Sequence, residues 1–547
     1  MRYFRTPLDL PLVLFVVSAL IGVWASYDPA TSWSKFALIV AVVAIYYGIS
    51  WMRAAPRLLE TCVWFFLIGS AALAVYFVTQ NDYASQSGKF DLITAIGAAI
   101  TRVAPQLPFH RSHPNVVAGA LEIALPINLG LLWAEGRKQK AEGSRQSFAA
   151  LLVSLFTCLL ITFGLLMTSS RGAWLALGIV GAVGVLLVVA QDALRRYALP
   201  LALIVGLATF IAIARFSDAW MPAFDTLLGA IPAGNSVVSR AELFRQAWGL
   251  IQDYYFTGSG LGVFPMILST YALLIDVPFL THAHNLFLEI WIEQGLLGLV
   301  VFGWLIVAFY LWCLRIATNK RMNWLMLGGI AATTVMLLHG FVDVGLYSSR
   351  ALPLMFVPMG IAVASGQSTV DIRQTAGDSG QATVGRRQGS RLVVGIILLT
   401  AGCILLAGFW NSLAALWYAN LGSVAQTRAE LVGFPSPDWK AGAVRRNGDL
   451  SQAQAYFQRA LAFEPGNLTA NQRLGAIASV RGEYDAARQF FARVYTRDPL
   501  NAATWRLEAN LDAALGLNAE ACQIAAWAKT QGWSGAWIFP LPGCAVK

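Results

Sequence analysis

Residues His284 to Gly298 read HNLFLEIWIEQGLLG, and this stretch decides what kind of molecule the chain makes. His284 and Asn285 stand just before an apolar run that begins at Leu286 and continues to about Trp312. At about 1.5 Å of rise per residue, such a run crosses a hydrocarbon core about 30 Å thick, so it reads as a transmembrane helix with the two polar residues at its boundary with water. Glu289 and Glu293 interrupt the run on one helical face. A carboxylate exposed to lipid is costly, so the pair either faces protein or a cavity, or belongs to a solvated, snorkelling helix end.

The rest of the chain has the same character. Of 547 residues, 57% are hydrophobic and only 12% charged, with a mean hydropathy of +0.59, which excludes an ordinary soluble domain. The net charge of +10 would suit a nucleic-acid binder, but no basic patch with interleaved aromatics occurs. The lysines and arginines cluster in short loops between apolar runs, where they determine topology. The first apolar run follows a basic head and precedes many others, so it reads as an uncleaved span and not as a signal peptide.

Runs of membrane-spanning length fall near 10–26, 33–52, 61–80, 115–134, 148–167, 173–191, 199–214, 286–312, 324–342, 352–366 and 392–412, about eleven in all. Alternate connections are basic: Arg2 and Arg5, Arg53 and Arg57, residues 137–145, Arg195 and Arg196, residues 315–321, and residues 373–391. By the positive-inside rule those face the cytoplasm. The loop 81–114, the turn at Thr168–Gly172 and the long loop 215–285 then face outward with all five histidines, as does everything after about residue 413. The expected fold is all-α: a polytopic helix bundle over 1–412, a connecting helix and linker over 413–447, and a repeat domain over 448–547. Residues 367–391, rich in Gly, Ser and Gln, read as a flexible linker.

The repeat is legible at a period of 34, where Gly448, Ala453, Phe457, Pro465 and Asn467 recur as Gly482, Ala487, Phe491, Pro499 and Asn501. Gly516 and Ala521 begin a third copy. Small residues that let paired helices pack, and a proline that ends the second helix, make this a tetratricopeptide array that binds or positions something. Cys62, Cys158, Cys313 and Cys403 fall within spans and read as apolar packing residues. Cys522 and Cys544 read as two inert thiols, with a disulfide as the alternative if the tail lies in an oxidising compartment.

Residues suited to chemistry gather on the outward side. In 235–264, Phe244, Trp248, Ile251 and Tyr255 share a helical face with Leu243 and Ala247 beside them, so this helix is expected to lie flat in the membrane interface. Arg240 continues that stripe and points to a phosphate, whereas Arg245, three from Glu242, reads as a local ion pair. Arg171 in TSSRGAW sits in a very short turn between spans, and its guanidinium suits two phosphate oxygens at once. His110, Arg111, His113 and Asn115 form HRSHPN at the start of another span. With His282 and His284 these histidines suggest a metal, but Pro114 and the HxH spacing argue against ligands on one helical face, and no metal or other cofactor is expected. His339 and Asp343, four apart, are expected to pair or to cap a helix end.

These pieces resemble the O-antigen ligase and polymerase superfamily. His284 and Asn285 followed at family-like spacing by Gly295 and Gly298, the SSRGAW turn, HPNVVAGALEIALP, and VVSRAELFRQAW before GSGLGVF carry the likeness over about residues 90–350. The resemblance implies a metal-independent, inverting glycosyltransferase of the bacterial cytoplasmic (inner) membrane, with its active site and tail on the periplasmic side. It would move a glycan from undecaprenyl diphosphate to an acceptor hydroxyl on lipid, glycan or protein. It implies that Arg171 and Arg240 hold the diphosphate and that His284 acts on the acceptor, with His113, Asn115, Arg111 and Asn285 expected around the substrate. Ligase, polymerase and protein O-oligosaccharyltransferase readings stay open, as does a partner protein at the tail. A transporter or a repeat-displaying scaffold is the non-catalytic alternative.

Overall fold

The computed structural model describes residues 6–83, 90–105, 107, 112–189, 240–318, 322–367, 408–431, 434, 439–531, 533, 541 and 544. The expected span 199–214, nearly all of 392–412, most of the linker, the first part of the long loop, and His110 and Arg111 lie outside the described residues.

Apolar runs bounded by caps and prolines become the helices α1 (Asp9–Ala25), α2 (Pro29–Trp51), α3 (Pro56–Gln80), α4 (Asp91–Val103), α5 (Pro114–Glu142), α6 (Arg145–Met167) and α7 (Arg171–Val189). After them come α8 (Arg240–Asp253), the short α9 (Phe264–Leu268), α10 (Leu286–Thr318), α11 (Trp324–His339) and α12 (Val357–Gln367). Among the described residues, five of these helical segments are long and apolar enough to cross a membrane, and shorter apolar helices accompany them. The chain is a multi-pass membrane protein. At the centre α5, started by Pro114 under a His113 cap, packs against α3, α6 and α11. Its neighbours come close because small residues face each other: Gly164 of α6 lies on Ala74 of α3, and Gly328 of α11 lies on the Pro126 carbonyl of α5.

The run from Leu286 is not the single straight helix that its hydropathy suggests. At Gly295 the backbone turns to φ 70° and ψ −173°, which breaks α10. Phe256 O sits where a side chain at 295 would be, so only glycine fits this close approach. The backbone groups freed by the break are bonded again by the loop after α8: Leu296 N donates to Tyr255 O at 2.9 Å and Ser259 N to Ile292 O at 2.6 Å. Irregular backbone at membrane depth is tolerated where protein satisfies it in this way.

Helix α8 also departs from expectation. Its buried stripe is Leu243, Ala247, Leu250, Ile251 and Tyr254, packed on Ile292, Val424 and Leu431, while Trp248 stands at the rim against Trp291. The apolar face therefore meets protein, which removes the ground for laying it flat in the membrane interface. The expected Arg245–Glu242 ion pair is present.

The tail begins with α13 (Trp410–Glu430) and α14 (Ala441–Asn447), followed by α15 (Ser451–Phe463), α16 (Leu468–Arg481), α17 (Tyr484–Tyr495), α18 (Ala502–Ala514) and α19 (Asn518–Thr530). The 34-residue coincidences have physical causes. Asn467 and Asn501 cap α16 and α18 by accepting from Ala470 N and Thr504 N, both at 2.9 Å. Ala453, Phe457, Ala487, Phe491 and Ala521 are the buried contacts between helices. Gly482 ends α16 in the left-handed region that favours glycine. Cys522 and Cys544 form a disulfide, contrary to the expectation of two inert thiols: Leu541 and Cys544 pack with Ala509 and Ala521, and the two cysteine Cα atoms are 5.5 Å apart. Helix α13 packs against α8 and, through Asn420, against the loop beyond it.

Candidate active site

The start of α5, the start of α7, the end of α11 and the segment leading into α10 meet at one end of the bundle. The residue that gathers them is Asp343, just beyond α11, whose side chain is 2% exposed. Its Oδ2 accepts from Asn115 Nδ2 at 2.6 Å, faces His284 Nδ1 at 3.3 Å, and lies 3.9 Å from the Arg240 guanidinium. Its Oδ1 accepts from Val344 N at 2.7 Å. Burial alone would raise this carboxyl's pKa, but the hydrogen bond and charge of His284, joined by His282 and His339, hold it well below the usual range.

His284 has φ 52°, a left-handed conformation that costs a residue with a Cβ on the order of 1–2 kcal/mol. Contacts on both sides maintain it. Ala283 N donates to Glu289 Oε2 at 2.7 Å, and Leu286 N donates to Gly340 O at 2.7 Å. Asn285 donates to Phe341 O and accepts from Phe287 N and Leu288 N, each at 3.0 Å, so both ends of its amide cap α10 and tie it to α11. Glu289 and Glu293 are buried in protein, which closes the snorkelling alternative. Glu293 pairs with Lys35 of α2 at 2.7 Å, and Lys35 lies over the Tyr347 ring at 4.2 Å.

Arg171 opens α7 next to Gly172, where the His339 ring leaves no room for a side chain. Burial, together with the charge of nearby Arg171, lowers the Arg240 pKa despite Asp343, so two guanidinium groups act on one region. His113 accepts from Asn115 N at 3.3 Å as the α5 cap, and its charge reaches His282. The expected pairing of His339 with Asp343 does not form. His339 ends its helix and turns inward to Glu122 of α5 at 2.8 Å, leaving Asp343 to the other side chains. A small cleft lined by Glu122, Leu286, His339, Asp343 and Tyr347 lies beneath the cluster.

His282 is no bystander. Its ring meets that of His284 edge to face at 4.1 Å, and burial, with the charge of His284, pushes its pKa down to about 3. Among the described residues, its Nδ1 is buried without a hydrogen-bond partner. His282, His284 and Asp343 place one ligand atom each within 4.8 Å of one another, a grouping that the HxH spacing did not suggest. Arg240 already supplies that group with a cation.

Sequence reasoning marked Arg171, Arg240, His284 and Asn115 but missed Asp343 as the common partner of the last three. A neutral imidazole that donates Nδ1–H to Asp343 would carry its lone pair on Nε2, the tautomer a base needs. A carboxylate behind an imidazole and two guanidinium groups beside it suit proton abstraction next to an anionic leaving group.

Residues 143–303 match the O-antigen ligase family. That is the superfamily whose motifs the chain resembles, and the matched stretch holds Arg171, Arg240 and His284. Residues 445–524 match the tetratricopeptide repeat family, in agreement with the 34-residue period. No curated protein matches the chain. Asn115 and Asp343 fall on either side of the O-antigen ligase match, and only the fold brings them to it.

Proposed function

We propose that this protein transfers a glycan from undecaprenyl diphosphate to an acceptor hydroxyl at the periplasmic face of the bacterial inner membrane, as an O-antigen ligase-like enzyme. The observation that carries the reading is the convergence of His284, Arg240 and Asn115 on Asp343, with Arg171 close enough to act on Arg240.

In this reading His284 Nε2 takes the acceptor proton as the hydroxyl oxygen attacks the anomeric carbon. The bond from that carbon to the diphosphate oxygen breaks in the same displacement, which inverts the centre. Arg171 and Arg240 meet the charge that develops on the departing diphosphate, and Asp343 stabilises the imidazolium. The chemistry needs no metal, because a lipid diphosphate is already a good leaving group. The Cys522–Cys544 bond supports an oxidising compartment for the tail, and hence the periplasmic orientation.

The test is purified protein with a synthetic lipid-diphosphate donor and chelator present. Transfer at the normal rate supports the mechanism, and complete loss restored by a divalent cation would replace it with a metal site at His282, His284 and Asp343. The glycan profile of a deletion strain distinguishes attachment, chain lengthening and protein glycosylation.

A further inference from the structure

The segment Tyr255–Gly260 is a wedge between the tail and the broken helix α10. On one side its backbone fills the break at Gly295, with Leu296 N and Trp291 Nε1 both donating to Tyr255 O, at 2.9 and 3.0 Å. Ser259 donates to Ile292 O from its amide at 2.6 Å and from its hydroxyl at 3.1 Å. On the other side one residue of the tail holds the wedge. Asn420 of α13, fully buried, accepts from Phe256 N at 2.8 Å and Thr257 N at 3.1 Å, and donates to Thr257 Oγ1 at 2.8 Å. The upstream end is held by the tail as well: Tyr254 OH meets Thr427 Oγ1 at 2.5 Å, and Asp253 is paired with buried Arg473, which stacks on Tyr271 at 3.7 Å.

The part of α10 before the break carries Glu289, which bonds Ala283 N beside His284. Its orientation relative to the membrane portion changes at Gly295, where the wedge fills the break and joins the Leu286–Gly340, Asn285–Phe341 and Glu293–Lys35 contacts in holding it. We propose that Asn420 is a positioning residue: through the wedge it fixes the angle of the first turns of α10, and with it the place of His284. The tail then helps to build the transfer site, in addition to whatever it binds. This inference rests on His284 being the base of the proposed reaction.

A displacement of about 1 Å at a reacting group can cost roughly 100-fold in rate. Asn420→Ala should lower kcat by about 10- to 100-fold with the donor KM changed less than about threefold. Asn420→Asp, which keeps the oxygen facing the two amides, should restore most of the loss. In a His284→Ala background Asn420→Ala should cost nothing further, because the residue it acts through is gone. Hydrogen exchange should quicken at Phe256, Thr257, Leu296 and Ala283 without global unfolding. If Asn420→Ala does not accumulate, Asn420→Ser, which shortens the acceptor by one bond, should show the same kcat-only loss. A folded Asn420→Ala or Asn420→Ser protein with wild-type kcat overturns the proposal, as does an undiminished loss in the His284→Ala background. A His284→Ala protein that transfers normally overturns the proposed reaction instead.

Discussion

His284 and Asp343 face each other at 3.3 Å although 59 residues separate them, one leading into α10 and the other leaving α11. The carboxylate has three roles at once: it orients the imidazole, fixes Asn115 and faces Arg240. Asp343→Asn keeps the volume, removes the charge and offers an amide where His284 and Asn115 both donate. Transfer should fall by about two orders of magnitude or more, within the range known for losing acid-base assistance, with donor binding weakened much less. Steady-state kinetics against donor concentration checks this, and an unchanged kcat would reduce Asp343 to a structural link.

Arg240 is 39% exposed and 3.9 Å from Asp343, an ion pair too long for a hydrogen bond, so in the proposed reaction its N–H donors can turn to the diphosphate. Arg240→Ala should weaken both donor binding and turnover. Arg240→Lys should recover only part of each, because an ammonium does not offer a planar fork to two oxygens. Donor binding measured separately from turnover gives the answer.

His282 has a folded pKa of about 3, below its ordinary 6.5, so between those values the unfolded chain binds more protons. Its contribution to stability is complete above about pH 6.5 and is lost as pH falls toward 3. Asp343, also held low, acts in the same direction below the ordinary carboxylate range. Acidification from pH 7 to 4 should therefore lower the unfolding midpoint of the detergent-solubilised wild type relative to that of His282→Asn. A slope identical in both proteins would contradict it. Because its ring packs against that of His284, an activity loss in His282→Ala is expected.

The disulfide closes a segment with 22 residues of separation, worth about 3 kcal/mol in the chain-entropy account. Reduction should lower the unfolding midpoint of the tail and leave transfer by the membrane part unchanged while the tail stays folded. Cys522→Ser with Cys544→Ser should reproduce the shift, and thiol labelling of unreduced protein should leave both cysteines unmodified.

Hydropathy made the described spans legible because apolar length is a local property. The tail was equally plain, since each repeat must bury the same alanine and phenylalanine contacts. The face of α8 was not. Phe244 and Trp248 lie one position from Leu243 and Ala247, both stripes are apolar, and only the packing of α10 and the tail on one of them decides which is buried. His339 and Asp343 looked like a helical pair, but the helix stops at His339 and the two diverge to partners from α5 and α10. The break at Gly295 had a trace in the sequence, a glycine inside an apolar run, but its cause is a loop that arrives from 40 residues upstream.

The central claim is that His284 serves the acceptor while Arg171 and Arg240 serve the donor. The direct measurement is single-turnover transfer by purified His284→Ala with a synthetic lipid-diphosphate donor, in chelator, beside donor binding by the same protein. Transfer lower by about two to four orders of magnitude with near-normal donor binding is the expected result. Transfer close to wild type would contradict it.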